Sequence, residues 1–266
     1  MNNIGFIGTG NMGTAIIKGI ANSPLAESIN VYATDIDKEK LNSLKEYNVI
    51  AQESATQICK KCKYVILAVK PQMFEELLDN IAPFVTKDTV LISIAAGITA
   101  EYISSKTIEN AKVILVMPNT PLLLNQGATA LSKAESVSND EFKVICDVFS
   151  SCGIIEIIEI NKMKEIIAIN GSSPAFIYLF AKGFVDYARK ENIDEKTALN
   201  LFAQTLIGSA KMLTDSGNSI DELIKMVSSP GGTTLKGLDE LYAGDLVGIV
   251  DKACTSCTKR AYELSK

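Results

Sequence analysis

Glycine recurs at Gly8, Gly10 and Gly13 with the spacing G-x-G-x-x-G. The run directly follows the strand-like Ile4-Gly5-Phe6-Ile7 and opens a helical pattern, the context in which such a loop cradles the pyrophosphate of a dinucleotide. Gly8 allows the tight turn, Gly10 lets the backbone approach the phosphates, and Gly13 lets the helix pack on the strand. Unpaired N–H groups and the positive dipole end at the helix start favour an anion. Ile7, Thr9, Asn11 and Met12 are the neighbouring contacts that such a ligand would make. A plain strand-to-helix turn is the alternative reading of this run.

Thr34-Asp35 ends a second β-branched run. A carboxylate here accepts the ribose 2′-hydroxyl of NAD and repels the 2′-phosphate of NADP. NADH is therefore expected to be at least as good a donor as NADPH. The alternative is that Asp35 only caps the next helix. Lys38 and Lys40 are close enough in sequence to hold a phosphate instead. Ala68-Val69-Lys70-Pro71, Ser93-Ile94-Ala95-Ala96-Gly97 and Met117-Pro118-Asn119-Thr120-Pro121 each end an apolar run. Ligands of open parallel sheets bind beyond such strand ends, and small residues let a cofactor lie on the backbone. Ala68, Val69, Lys70, Pro71, Ala95, Ala96 and Asn119 therefore join the expected cofactor contacts.

Late in the chain, Ser229-Pro230-Gly231-Gly232-Thr233-Thr234 precedes a helical pattern. Free N–H groups at that helix start suit a carboxylate, and the threonine hydroxyls can donate or accept beside it. Taken alone, the run is equally a loop with a helix cap.

Histidine is absent. That removes the commonest general base and metal ligand, and with them any serine–histidine triad or histidine-based dehydrogenase. Cys59/Cys62 and Cys254/Cys257 form two C-x-x-C pairs, far apart in sequence and each within a helical pattern. Small buried hydrophobes explain them better than a four-ligand site, and no metal is expected. Net charge is −5 over 266 residues without a like-charge block, and tryptophan is absent. Neither a nucleic acid nor a membrane surface is an expected partner. The strand pattern begins at once, without a charged and apolar leader, so a cytoplasmic location is expected.

The elements that must position these residues alternate. Strand-like runs at Ile4–Gly8, Ile29–Thr34, Tyr64–Val69, Thr89–Ile94 and Lys112–Met117 have helical patterns such as Met12–Ala21, Lys38–Tyr47 and Met73–Ile81 between them. This predicts a parallel sheet with crossover helices, an α/β Rossmann-type domain over residues 1–160. Ala128–Leu131 and Ile154–Ile158 flank a helix at Asp140–Phe149 and close that domain. Strand signals then end. Ser172-Ser173-Pro174 starts a helix reaching about Arg189, Asp194 starts another reaching about Thr214, and Ser219-x-x-Glu222 is a capping box. Helices over Thr233–Tyr242 and Asp245–Leu264 complete an all-helical domain, residues 161–266. Ala175–Ala188 is apolar nearly all round, so a homodimer interface is expected there.

Over essentially its whole length the chain resembles the pyrroline-5-carboxylate reductase family. The resemblance rests on Gly8–Gly13, Ala68–Pro71, Ser93–Gly97, Pro118–Pro121, Gly171-Ser172-Ser173-Pro174 and, most specifically, Ser229–Thr234. It implies a Rossmann domain, a helical dimerisation domain, a ring of dimers, and reduction of 1-pyrroline-5-carboxylate to proline by NADH or NADPH. It further implies that this loop holds the substrate carboxylate and ring nitrogen; Ser229 is an expected substrate contact, the Gly231, Gly232 and Thr233 amides are expected on the carboxylate, and the Thr234 hydroxyl on the ring nitrogen. A protonated cyclic imine is already electrophilic, so a chain without histidine can do this chemistry by positioning alone. The chain departs from the family pattern at Asn170, where serine is expected, at Lys236-Gly237, and at Asp35, where NADPH-using relatives often carry a small hydroxyl residue. Two other readings use fewer of these residues. Another Rossmann-fold imine or 3-hydroxyacid reductase would place a catalytic lysine early in the second domain, where Lys162 and Lys164 are available. A non-enzymatic dinucleotide sensor would need Gly8–Gly13 but not Ser229–Thr234.

Overall fold

A run of β-branched and large apolar residues can be buried on both faces only inside a sheet covered by helices on both sides. That is how the first half of the chain folds. The computed structural model describes residues 1–265. In chain order the first part holds β1 (Asn2–Ile7), α1 (Asn11–Ala21), β2 (Ile29–Thr34), α2 (Lys38–Asn42), β3 (Ile50–Ala51), α3 (Ala55–Lys61), β4 (Tyr64–Leu67) and α4 (Phe74–Ile81). There follow β5 (Val90–Ser93), α5 (Ala100–Lys106), β6 (Lys112–Met117), β7 (Gly127–Lys133), α6 (Asn139–Ser150) and β8 (Gly153–Ile157). The strands make one sheet in the order β3-β2-β1-β4-β5-β6-β7-β8. All neighbours are parallel except β6 and β7. Every residue of β4 and β5 is buried.

Alternate residues of each strand feed two apolar layers. On one face Ile4, Phe6, Ile66 and Ile92 meet Ile16, Ile17 and Ile20 of α1. On the other, Val65, Leu67 and Leu91 meet Ile58 of α3 and Phe74, Leu78 and Ile81 of α4. The register matters for the site. Ile7 pairs with both Thr34 and Leu67, so β1, β2 and β4 end level, and Gly8, Asp35 and Ala68 emerge side by side.

Local sequence and structure part at a few places. The helix expected over Lys38–Tyr47 breaks after Asn42 into a short 3-10 turn at Lys45–Tyr47, stopped by Asn48 in the left-handed region at φ +56°. β3, only two residues long, and α5 carry too few apolar repeats to stand out in the sequence. Before Ser173, the chain does not begin a fresh helix from a loop. Ile167–Gly171 already forms a π-type turn, closed by the Ser172 N–H on the Ile167 carbonyl at 2.8 Å.

Two compact units result. The first runs from Met1 to Ser172 and includes the chain from Ser256 onward; the second is Ser173–Thr255. The division expected at 160/161 thus falls earlier than the compact boundary. Met163 and Ala168 are buried, and Asn170 bonds the ends of two strands, so this stretch belongs with the sheet. The second unit holds α7 (Ser173–Lys190), α8 (Glu195–Asp215), α9 (Ile220–Met226), α10 (Thr233–Ala243) and the start of α11 (Leu246–Leu264). Asp194 caps α8, and Ser219 with Glu222 forms the expected capping box on α9. Among the described residues of these five helices, only Pro174, Ala188 and Ala261 are buried. Phe180 and Phe184 are both nearly half exposed, and Phe184 stacks on Phe202 at 4.1 Å. Helices this apolar and this bare need a further surface to cover them. Among the described residues, no helix is long and apolar enough to cross a membrane.

Candidate functional site

The level ends of β1, β2 and β4 open a groove of about 660 Å³. Ile7, Gly8 and Gly10 form one wall, Thr34 and Asp35 the next, and Ala68, Val69 and Lys70 the third. Eight of the expected cofactor contacts therefore meet in one place. The three glycines do different work there. Gly8 holds φ +99°, and a Cβ on it would lie 2.6 Å from the Ala68 carbonyl oxygen. At Gly13 a Cβ would lie 2.6 Å from the Gly8 carbonyl oxygen, so α1 packs on the loop only without a side chain. At Gly10 a Cβ would meet nothing within 4 Å. That glycine has room on the fold's side and faces the groove, which is the arrangement a backbone needs where a phosphate must come close. Gly10 also stands at the N-cap of α1 with no side chain capping the helix, leaving N–H groups free for an anion.

Thr9 is buried, and its amide and hydroxyl both donate to Asp35 Oδ2, at 2.5 and 2.9 Å. The other oxygen, Oδ1, accepts from the Asp37 amide at 2.9 Å. Asp37, not Asp35, caps α2, through the amides of Glu39 and Lys40. The helix-cap alternative for Asp35 is thereby replaced: the carboxylate ties the phosphate loop to the end of β2. Burial works to raise the Asp35 pKa, but the Asp37 and Thr9 amides, the Thr9 hydroxyl and nearby Lys40 outweigh it, so the carboxyl sits below its ordinary range.

The remaining expected contacts lie outside that groove. Asn11, Met12 and Gly13 form the first turn of α1, and Pro71 opens a short 3-10 turn after β4. Ala95 lines a second cavity of about 280 Å³ beyond β5 and β6, together with Ser93, Gly97, Met117, Lys164 and Tyr262. Ala96, next to Ala95, packs on the layer that contains Leu67. Asn119 is buried, and its Oδ1 accepts the Ala128 amide at 2.9 Å, which spends its acceptor on the loop itself. Sequence reasoning missed Tyr262 here, and it missed the contacts that Asn170 and Lys164 make. Asn170 donates to the carbonyls of Met117 and Ala128, and Tyr262 donates to Glu165 at 2.8 Å. Lys164 lies over the Tyr262 ring at 4.4 Å. These contacts span 42 to 98 residues, and no local pattern signals them.

The other expected site lies in the second unit. Gly232 is the N-cap of α10, with no side chain capping the helix. Its amide donates to the Ser229 carbonyl at 2.9 Å, and Gly231 takes φ +73°. The turn Ser229–Gly232 thus closes on itself and presents the start of α10, with Thr233 and Thr234 exposed on its first turn. All six cysteines are free thiols. Burial pushes both Cys59 and Cys62 up to about 12, so these two remain protonated packing residues.

A family model described as pyrroline-5-carboxylate reductase dimerisation matches residues 161–264. One described as NADP oxidoreductase, coenzyme F420-dependent, matches residues 3–97. Pyrroline-5-carboxylate reductases of Methanosarcina acetivorans and of Escherichia coli are each 31% identical to this chain, over 99% of its length and 98% of theirs. The chain belongs to the pyrroline-5-carboxylate reductase family. Solved structures agree. The pyrroline-5-carboxylate reductase of Coxiella burnetii superposes with a TM-score of 0.91 at 30% identity, covering 100% of this chain and 99% of that one. The Plasmodium falciparum pyrroline carboxylate reductase, determined with NADP bound, gives 0.89 at 29% identity, covering 100% and 98%. Prephenate dehydrogenase of A. aeolicus, at 13% identity and a TM-score of 0.54, shares the fold alone.

Proposed function

We propose that this chain reduces 1-pyrroline-5-carboxylate to L-proline with NAD(P)H, the last step of proline formation. The observation that carries the reading is chain-long similarity at 31% identity to curated reductases of that substrate; a groove whose central glycine is open to a ligand supports it. Bound NAD(P)H supplies the hydride to C5 of the protonated imine, whose nitrogen becomes the ring amine.

The chain's own residues position and hold. Amides of the Gly8–Gly13 run, with Asn11 and Met12 on the first turn of α1, take the pyrophosphate, while Thr34 and Asp35 take the adenosine ribose. Ala68–Pro71, Ala95, Ala96 and Asn119 support the nicotinamide end. Amides of Gly231, Gly232 and Thr233, with Ser229, take the substrate carboxylate at the uncapped start of α10. The Thr234 hydroxyl meets the ring nitrogen. No strong side-chain acid is required, because the ring nitrogen of the substrate is already protonated when it reacts. The bare apolar surface of α7 and α8 forms a homodimer, dimers assemble into a ring, and the cytoplasm is the location that accompanies this reading.

The test is donor oxidation with 1-pyrroline-5-carboxylate, against a panel of 2-keto acids and 3-hydroxy acids. Turnover confined to the cyclic imine is the expected result. Turnover confined to the panel would assign the chain to a different reductase.

A further inference from the structure

The cavity beyond β5 and β6 has two unlike walls. One is the turn that follows β5, from Ser93 to Gly97, which is shaped locally: the Ser93 hydroxyl accepts the Ala95 amide at 3.3 Å, and Gly97 takes φ +81°. The other arrives from far along the chain as Lys164 and Tyr262. All of these residues lie in the first compact unit. Tyr262 stands in the last turn of α11, and three contacts fix this end of the helix. The Tyr262 hydroxyl donates to Glu165 Oε1 at 2.8 Å, and the Lys164 ammonium lies 4.4 Å over the ring. Two residues further on, Leu264 passes over the turn so closely that a Cβ on Gly97 would lie 3.5 Å from it. Glu165 gives the first of these contacts its meaning. Its other oxygen, Oε2, is buried and meets no donor among the described residues. A carboxylate oxygen kept from water without a partner is costly, so an acid here needs a compensating use, and holding the Tyr262 hydroxyl is the one its geometry supplies.

We propose that Tyr262, latched by Glu165, is a positioning residue for hydride transfer. The half-exposed ring closes the cavity against water, and the chain end that carries Leu264 keeps the Ser93–Gly97 turn in place under the nicotinamide. The inference rests on the reading of Ala95 and Ala96 given above as support for the nicotinamide, and deepens it. Neither Tyr262, Lys164 nor Glu165 lines the groove at Gly8, Asp35 and Ala68. The latch therefore bears on rate rather than on affinity for the donor. A nicotinamide still held by its phosphates but resting on a loosened turn loses its alignment with C5 and admits water.

The experiment measures kcat and donor KM with 1-pyrroline-5-carboxylate, and amide hydrogen exchange over residues 93–99. The proteins are the wild type, Tyr262→Phe, Glu165→Leu, Glu165→Gln and the double variant Tyr262→Phe/Glu165→Leu. Tyr262→Phe keeps the ring and its lysine and removes only the bond to Glu165. Its kcat should fall by about tenfold, as for a misplaced reacting group, while donor KM stays within about twofold. Exchange over residues 93–99 should quicken. Glu165→Leu should do the same, and Glu165→Gln, which keeps an acceptor for the hydroxyl, should restore most of the loss. The double variant should lose no more than either single one, as two partners in one bond require. An unchanged kcat in folded Tyr262→Phe overturns the proposal, even where the melting temperature falls, since the tyrosine would then be a structural pin. A double variant in which the two losses add also overturns it. If the wild type oxidises no donor with this substrate, the reductase reading fails instead. The latch is then judged on hydrogen exchange, and equal protection of residues 93–99 in wild type and Tyr262→Phe overturns it.

Discussion

The side-chain amide of Asn170 donates to the carbonyl oxygen of Met117 at 2.7 Å, joining residues 53 positions apart. The same nitrogen reaches the Ala128 carbonyl at 3.1 Å, and the Ala128 amide is held by Asn119. β6 and β7 pair only as far as Met117 with Ala130, so beyond that point side chains replace the ladder. An asparagine suits this place better than the serine expected there: one hydroxyl hydrogen serves one carbonyl, and an amide NH₂ serves two. Asn170→Ala should cost about 2–4 kcal/mol, the penalty for two carbonyls left unmet, and Asn170→Ser about half of that. Urea denaturation of the three proteins checks the order, and equal midpoints would mean that the clamp contributes nothing.

Gly10→Val should leave the fold intact and abolish dinucleotide binding. The new side chain meets nothing in the protein but occupies the approach to the groove. Gly8→Ala should do the reverse, destabilising the fold itself, because φ +99° and a contact of 2.6 Å leave no place for a Cβ. Melting temperature and NADH titration, measured together on both variants, separate the two effects. Wild-type nucleotide affinity in Gly10→Val would make the loop a mere turn.

Thr234→Ala should lower kcat/KM by an amount equivalent to about 1–3 kcal/mol of transition-state stabilisation. The residue is exposed on the first turn of α10, so the fold should not suffer. A folded variant with unchanged kinetics removes Thr234 from the mechanism.

Glu141 carries a pH prediction. Burial opposes its charge, but Lys112 at 2.7 Å, Lys63 at 2.9 Å and the Ser138 amide and hydroxyl outweigh that and hold the carboxyl at about 2. The folded pKa lies below the ordinary value of 4.5. The stabilisation is therefore fully present above about pH 4.5 and is lost as pH falls through about 2. It amounts to about 2 kcal/mol once screening at half-exposed Lys63 is allowed for. Glu141→Gln should be less stable at pH 7 and should lack this part of the acid slope. Parallel slopes for the two proteins between pH 5 and 3 would contradict it.

Phe180→Glu should give monomers or aggregates. The ring lies against Phe184 and near Phe202 on the bare side of α7, and an unpaired charge in a covered apolar surface is costly. Light scattering that still shows the wild-type assembly would place the interface elsewhere.

Much of the architecture is legible in the residues alone. Period-two and continuous apolar runs mark seven of the eight strands, because burial on both faces of a sheet tolerates little else. Ser219 with Glu222 and Asp194 mark helix starts by side-chain chemistry that acts over three residues. β3 and α5 are too short to carry a period, and the π-type turn at Ile167–Gly171 has no local signature.

By itself, the sequence determined which groups could act: a glycine-spaced loop after a strand, an acid at the next strand end, a Gly-Gly-Thr-Thr run before a helix, and no histidine. Only the tertiary structure decided what each group is free to do. The pairing of Ile7 with Thr34 and Leu67 sets Gly8, Asp35 and Ala68 beside one another. The fold then spends the Thr9 amide and hydroxyl on Asp35, the Asn119 oxygen on Ala128, and the Asn170 amide on two strand ends. Sequence fixes the inventory of donors and acceptors, since that is a property of residue types. Their allocation depends on strand register and on contacts across tens of residues, which burial of the whole sheet determines at once.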